Sequence, residues 1–347
     1  MAITEQEVLN ALRTVMDPDL NRDVVSLGFI KDMKIDGGTV SFKLELTTPA
    51  CPLKAQLKAA SEEAVGKISG VKEVVVDVTS KVVPHRVEEK EGLLPGVKNI
   101  VAISSGKGGV GKSTVSVNLA VALAKCGARV GLLDTDIYGP SIPIMMGVTD
   151  KPEIRAQKMV PIEKYGVSLM SLGFLVPEDA AVIWRGPMVM KAVEQLLTDV
   201  DWGELDYMII DLPPGTGDVQ LTLVQKVPLS GAVIVTTPQD VALLDVVRGI
   251  NMFKKVNVPI LGIVENMSFF QCPHCGERTD IFSHGGGEAA AKKQEVPFLG
   301  ELPIDPEIRV GGDSGRPIVV EDPTSPQSKI FMEIAGKLAA KVSSLGE

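Results

Sequence analysis

Hydrophobic positions fall into two rhythms along this chain. Over residues 1–80 strict alternation stands out: Val40, Phe42, Leu44 and Leu46 recur every second residue, the period of a half-buried strand. A partner strand is predicted from Phe29 to Asp36, with Gly37-Gly38 as the hairpin turn. Thr4 and Glu7 form a capping-box pattern ahead of a helical stretch to about Val15. Pro52 to Ile68 reads as a second helix and Val71 to Val78 as a third strand. The order α-β-β-α-β predicts a small α+β domain over 1–80. Residues 81–97 have no clear period, hold Pro84, Pro95 and a mixed charge run, and read as a solvated linker. From 98 to 347 the rhythm changes. Short apolar runs at 99–104, 129–134, 167–172, 206–211, 231–237, 260–265 and 297–301 alternate with helical patterns, closed by a helix from Ser325 to Ser343. That alternation predicts a mainly parallel sheet flanked by helices. Ligands of such sheets lie at the carboxyl ends of the strands. The informative loops therefore follow Ser104, Asp134, Asp211, Thr237 and Glu265.

Composition narrows the classes. The chain of 347 residues is 45% hydrophobic but only 4% aromatic, so its core is mostly aliphatic. A net charge of −9 argues against general attraction to nucleic acid or anionic membrane. No apolar run approaches the ~18 residues of a membrane span. The polar start MAITEQEVLN is no secretory signal, which predicts a cytoplasmic protein. Four cysteines are too few for a disulfide scaffold of this size and favour metal or redox chemistry.

The strongest local signal runs from Gly106 through Lys107, Gly108, Gly109, Val110, Gly111, Lys112 and Ser113 to Thr114. It fits the phosphate-binding pattern G-x-x-x-x-G-K-[ST], set between a predicted strand and a predicted helix. Glycines let backbone N–H groups curl around phosphate oxygens, and the helix start adds its positive dipole end. Lys112 is placed to neutralise the β- and γ-phosphates, and the Ser113 hydroxyl to ligate Mg²⁺. Asp211 ends an apolar strand, the usual place for a carboxylate that holds Mg²⁺ through water. Pro213, Pro214, Gly215 and Gly217 follow as a stiff turning segment suited to sensing the γ-phosphate. Asp134 and Asp136 end another strand; a carboxylate there can orient an attacking water, although aspartates are also common turn residues.

Cys272-Pro273-His274-Cys275-Gly276 is a C-x-x-C turn, which aims two thiolates at one soft metal or forms a redox pair. Zinc and iron–sulfur clusters usually take four protein ligands, and there is no second C-x-x-C. Two chains meeting on a twofold axis would supply four cysteines, enough for one [4Fe–4S] cluster or one zinc. The alternatives are a dithiol–disulfide pair or a structural zinc completed by His274 or His284. His274 reads as a solvated turn residue, and neither His284 nor His85 has metal-ligand spacing. Cys51 lies beside Pro52 at the predicted start of a helix, where a thiol pKa can be lowered. Cys126 falls on the apolar face of its helix and reads as core packing.

The segment KGGVGKST resembles the deviant Walker A loop of the SIMIBI class, which includes the MinD/ParA partition ATPases, the nitrogenase iron protein and the Mrp/ApbC cluster carriers. The resemblance implies ATP as nucleotide and a homodimer in which Lys107 reaches the partner's phosphates. It further implies that Asp136 activates water, that Asp211 is linked to Mg²⁺, that Asn266 recognises the adenine and that Pro303 lies in a loop packing on that base. Together with ENMSFFQCPHCG at 265–276 and DLPPGTGD at 211–218, the loop resembles the Mrp/ApbC family over about 98–340. That family implies an ATPase that binds a transient iron–sulfur cluster, receives it from scaffold proteins and delivers it to apo-proteins. Ile183-Trp184-Arg185-Gly186-Pro187 also looks family-typical, with no physical role to assign to Arg185. DPDLNRDVVSLGFI at 17–30 and TTPACPL at 47–53 resemble a SufT-like metal–sulfur cluster assembly domain, which places Cys51 as a cluster or client contact. The rival reading is a MinD/ParA-like positioning protein, which needs a membrane-active tail or a basic face. The closing helix, with Ile330, Phe331, Ile334 and Leu338, is amphipathic, but Lys329, Lys337 and Lys341 are few for a membrane surface.

Overall fold

The computed structural model describes residues 3–18, 20–85, 93–137, 139–175 and 186–346. The segment with Ile183, Trp184 and Arg185 lies outside them. The chain divides into two compact units, one reaching to Val83 and including the segment from Ala339, the other Pro84–Leu338.

In the first unit the Thr4 capping box is formed, with the Glu7 amide donating to the threonine hydroxyl at 3.3 Å and the Glu7 carboxylate accepting the Thr4 amide at 2.9 Å. The helix Glu5–Leu12 stops short of Val15. Strands Ile30–Asp36 and Thr39–Leu46 pair antiparallel around Gly37 and Gly38, both with positive φ, and Glu73–Ser80 joins Thr39–Leu46 in parallel. Val40, Phe42, Leu44 and Leu46 are buried, as their alternation predicts. The second helix is Lys54–Gly66, not Pro52 to Ile68. Pro52 and Leu53 form a turn instead, so Cys51 lies three residues before the first helical residue rather than immediately before it, and it is half-buried.

The second unit is built on an eight-stranded sheet. Its order is Ile162–Lys164, Val167–Ser171, Val130–Asp134, Leu205–Asp211, Val97–Ser105, Gly231–Thr236, Ile260–Glu265, Phe298–Glu301. All neighbours run parallel except the first pair. The seven predicted strands are present. The antiparallel edge strand Ile162–Lys164 was not foreseen; three residues leave too short a pattern to read. The central strands are buried along their whole length, which explains their unbroken apolar runs. The helix Lys112–Lys125 packs on this sheet, with Val115 through Leu123 all buried. Cys126 forms its C-cap and is half-buried, so it is not the core residue its spacing suggests. In the closing helix Pro326–Ser343, Phe331, Ile334 and Leu338 are each at most 1% exposed and Ile330 is half-buried, so most of that apolar face is already covered. Among the described residues no helix is long and apolar enough to cross a membrane.

Candidate functional site

Parallel register brings the carboxyl ends of seven strands to one edge. The loops after Ser105, Asp134, Asp211, Thr236, Glu265 and Glu301 emerge there together. A cleft of about 780 Å³ opens among them, lined by Gly108, Gly109, Gly111, Lys112, Ser113, Thr114, Asp136, Pro214, Asn266 and Pro303, among others. Gly106, Lys107 and Val110 belong to the same loop but not to the lining.

Two glycines of the loop have no substitute. A Cβ on Gly106 would lie 2.2 Å from that of Asp245, because the helix Asp240–Lys255 passes directly against it. Gly111 has φ +81° and a Cβ there would meet Asn266 Nδ2 at 2.1 Å. Gly111 caps the helix Lys112–Lys125 without a side-chain bond, which leaves the first amides of that helix for a ligand. Val110 anchors the loop with a buried side chain.

Below the loop, Asp211 is fully buried and Lys112 only 6% exposed, with Nζ 2.6 Å from Oδ2. Ser113 Oγ donates to the same oxygen at 2.7 Å and Ser116 Oγ to Oδ1 at 2.5 Å. Asp134 lies beside Asp211 in the neighbouring strand and Ser171 beside Asp134 in the next. Ser171 Oγ donates to Asp134 Oδ2 at 2.9 Å, and the Asp136 amide to Oδ1 at 3.1 Å. Burial, and then the charge of Asp211, push the Asp134 carboxyl up to about 7. Lys107 Nζ donates to Gln239 of its own chain at 3.3 Å. Asn266 turns its amide to the loop, donating to the Val110 carbonyl at 2.9 Å. Pro303 is buried at the cleft wall, and Gly215 donates its N–H to the Ser105 carbonyl at 3.0 Å.

Cys272 and Cys275 stand on a separate projection. Phe270–Gln271 and Arg278–Thr279 form a two-residue antiparallel ladder, and the cysteines occupy the turn between them. The Gly276 amide donates to the Cys272 carbonyl and the Cys272 amide to the Glu277 carbonyl, both at 2.9 Å. Cys275 is exposed and Cys272 half-buried. The backbone N–H of Cys275, then that of His274, then the Cys275 side chain, hold the Cys272 thiol below its ordinary value. These donors favour a thiolate, the form that ligates soft metals. Among the described residues, neither His274 nor His284 joins the two thiols in a ligand group; His284 groups with Glu265 and Glu301 instead. Arg278, Glu301 and Ser268 carry no signal in the sequence, and His284, weighed there only as a possible zinc ligand, lies with them instead. They surround the base of the hairpin, and a single residue pair 23 positions apart carries no motif.

Residues 96–339 match the family described as NUBPL iron-transfer P-loop NTPase, and residues 5–78 match the iron–sulfur cluster assembly protein family. A relative from Synechocystis, an iron–sulfur cluster carrier protein, is 51% identical and covers 98% of each chain. The solved nucleotide-binding protein from Archaeoglobus fulgidus, in complex with ADP, is 40% identical, with TM-score 0.60 over 70% of this chain and 93% of that one. The MinD cell-division ATPase of Pyrococcus furiosus is 28% identical, with TM-score 0.52 over 69% of this chain and 97% of that one. With the loop, the buried Lys112–Asp211 pair and the two-cysteine hairpin in place, the chain belongs to the iron–sulfur cluster carrier P-loop NTPases of the Mrp/NUBPL type.

Proposed function

We propose that this chain is an ATP-hydrolysing iron–sulfur cluster carrier that holds a labile [4Fe–4S] cluster across a homodimer and delivers it to apo-proteins. The observation that carries the reading is the exposed hairpin with two thiols and no third ligand beside them among the described residues. Two such hairpins supply the four thiolates a cluster takes. A ligand set split between chains is also easier to open than a closed one, which suits a carrier. A reducing compartment such as the cytoplasm keeps these cysteines as thiols.

In the cleft, the amides of Gly108, Gly109 and Gly111 would cradle phosphate, with Lys112, Ser113 and Thr114 at the helix start. The Ser113 hydroxyl and the Asp211 carboxylate, already 2.7 Å apart, fit the donor set of Mg²⁺. When bound, that ion supplies charge neutralisation at the β- and γ-phosphates. Lys112 would swing from Asp211 to the phosphates. Asp136 would orient the attacking water and accept its proton. Lys107 would leave Gln239 and reach across the dimer to the nucleotide of the other chain. Asn266 and Pro303 frame the place of the base. A membrane-positioning role is less well supported, because most of the apolar face of the closing helix is buried.

The test is anaerobic reconstitution with iron and sulfide, followed by metal analysis and an absorption spectrum, on the parent and on Cys272→Ala and Cys275→Ala. Four irons per dimer, lost in both variants, are expected. Stoichiometric zinc, or an iron signal indifferent to both substitutions, overturns the reading. Lys107→Ala should keep nucleotide binding and lose turnover; undiminished turnover removes its trans-acting role.

A further inference from the structure

One side chain fixes the base of the cysteine hairpin. Arg278, opposite Gln271 in the ladder, donates from Nε to Asp280 at 3.0 Å, from Nη1 to Glu301 Oε1 at 3.0 Å and from Nη2 to His284 Nδ1 at 2.7 Å. Its guanidinium lies 4.2 Å from the ring centroid of Phe269. A guanidinium is planar with its donors in set directions, so engaging all four groups fixes the orientation of the hairpin base.

The bonds continue from there to the phosphate loop. Glu301 ends the strand Phe298–Glu301 in register with Glu265. The Ser268 hydroxyl lies 2.7 Å from Glu265 Oε1 and 3.0 Å from Glu301 Oε2. Having one proton, it serves one carboxylate at a time, with His284 Nδ1 a more distant neighbour at 3.4 Å. Glu265 is fully buried and also accepts the amides of Gly285 and Gly287. The next residue, Asn266, is bonded to the Val110 carbonyl and packed on Gly111. The backbone runs in parallel with this path: Leu302 donates to the Glu265 carbonyl, Ser268 to that of Leu302 and Ile304 to that of Phe269. A cavity of about 260 Å³ beside Cys272 and Pro273 is walled by Pro303 and Asp305, which also line the nucleotide cleft.

Glu265, His284 and Glu301 bring three ligand atoms within 4.8 Å of one another. That grouping does not make a metal site here. Arg278 already supplies the cation to His284 and Glu301, and Glu265 is satisfied by N–H donors.

We propose that Arg278 is a positioning residue that couples the nucleotide cleft to the cysteine hairpin, so that nucleotide at Val110–Asn266 resets the accessibility of Cys272 and Cys275. The proposal rests on the reading of the cleft and hairpin given above. Nucleotide entering the loop displaces the Asn266 amide. Ser268 then redistributes its proton between Glu265 and Glu301, and the grip of Glu301 on Arg278 changes with it.

The test uses the full chain without cluster. Iodoacetamide labelling of Cys272 and Cys275 is followed by peptide mass spectrometry, with and without MgADP, in the parent, Arg278→Ala and Arg278→Lys. Calorimetry measures MgADP affinity in each. In the parent, MgADP should change the labelling rates about fivefold. In Arg278→Ala the rates should be the same with and without MgADP, at unchanged affinity. Arg278→Lys keeps the charge without the planar fork and should retain part of the response. Parent-like response in Arg278→Ala overturns the proposal. So do parent rates indifferent to bound MgADP, and in that case intact MgADP binding and iron loading leave the carrier reading standing.

Discussion

The phosphate loop and the cysteine hairpin lie within one unit and are built in contrasting ways. At the loop, a fully buried carboxylate is matched by Lys112 and two serine hydroxyls, and Gly106 and Gly111 leave no room for a methyl group. At the hairpin, a ladder of two residues on each side carries an exposed thiol, and Arg278, lying on the Phe269 ring and bonded to Glu301, anchors its base. The base of the loop, at Val110 and Lys112, is buried with the core, while Gly108 and Gly109 stay exposed at its tip. The hairpin is an appendage whose chemistry can be removed while the fold stays. A cradle for a ligand held by many weak donors needs rigidity, whereas ligands that must release a cluster need access.

Four substitutions probe that contrast, from the largest expected effect downward. Lys112→Ala strips the cation from a buried carboxylate and should cost about 3 kcal/mol in urea denaturation of the nucleotide-free protein, with nucleotide binding lost in calorimetry. A cost below about 1 kcal/mol would mean that the serines alone satisfy Asp211. Gly111→Ala forces a side chain into a left-handed conformation against Asn266 and should cost about 2 kcal/mol, with weakened nucleotide affinity. Asp134→Asn tests the buried carboxyl row through pH. The folded value of about 7 lies above the ordinary 3.8. The folded state therefore holds the proton more tightly, so this contribution to stability is full below the unfolded value and lost as pH rises through about 7. Melting curves from pH 4 to 8 should show the parent losing stability relative to the asparagine variant up to about pH 7, by on the order of 1 kcal/mol or more, and no further change above. A pH-independent difference would contradict a raised Asp134. Cys275→Ala should change the melting free energy by no more than about 0.5 kcal/mol while removing iron binding. A large loss of stability there would erase the contrast between the two regions.

Much of this contrast is legible in the sequence. The loop shows as nine consecutive residues because backbone amides curling around phosphate are a local feature that glycine spacing alone specifies. The strand ends at Asp134, Asp211 and Glu265 show because strands buried on both faces are unbroken apolar runs, and the first polar residue marks the edge. The C-x-x-C shows because two thiolates sharing one metal must be close in the chain. Less legible are elements without a period. Ile162–Lys164 is three residues long, and Pro52 reads as a helix start where the chain makes a turn. Cys126 has core spacing but falls at the C-cap, just past the last helical residue, and is half-buried.

By itself, then, the sequence determined the phosphate loop, the order of strands and helices and the pair of thiols, since each depends on residues that are neighbours in the chain. Only the tertiary structure decided that Asp134 lies beside Asp211, that Asn266 braces Val110, and that Arg278 meets Glu301 below the cysteines. Those meetings follow from parallel register, which aligns Glu265 with Glu301 and Asp134 with Asp211. Register is settled by how whole strands and helices fill the core together, a long-range condition that local sequence does not record.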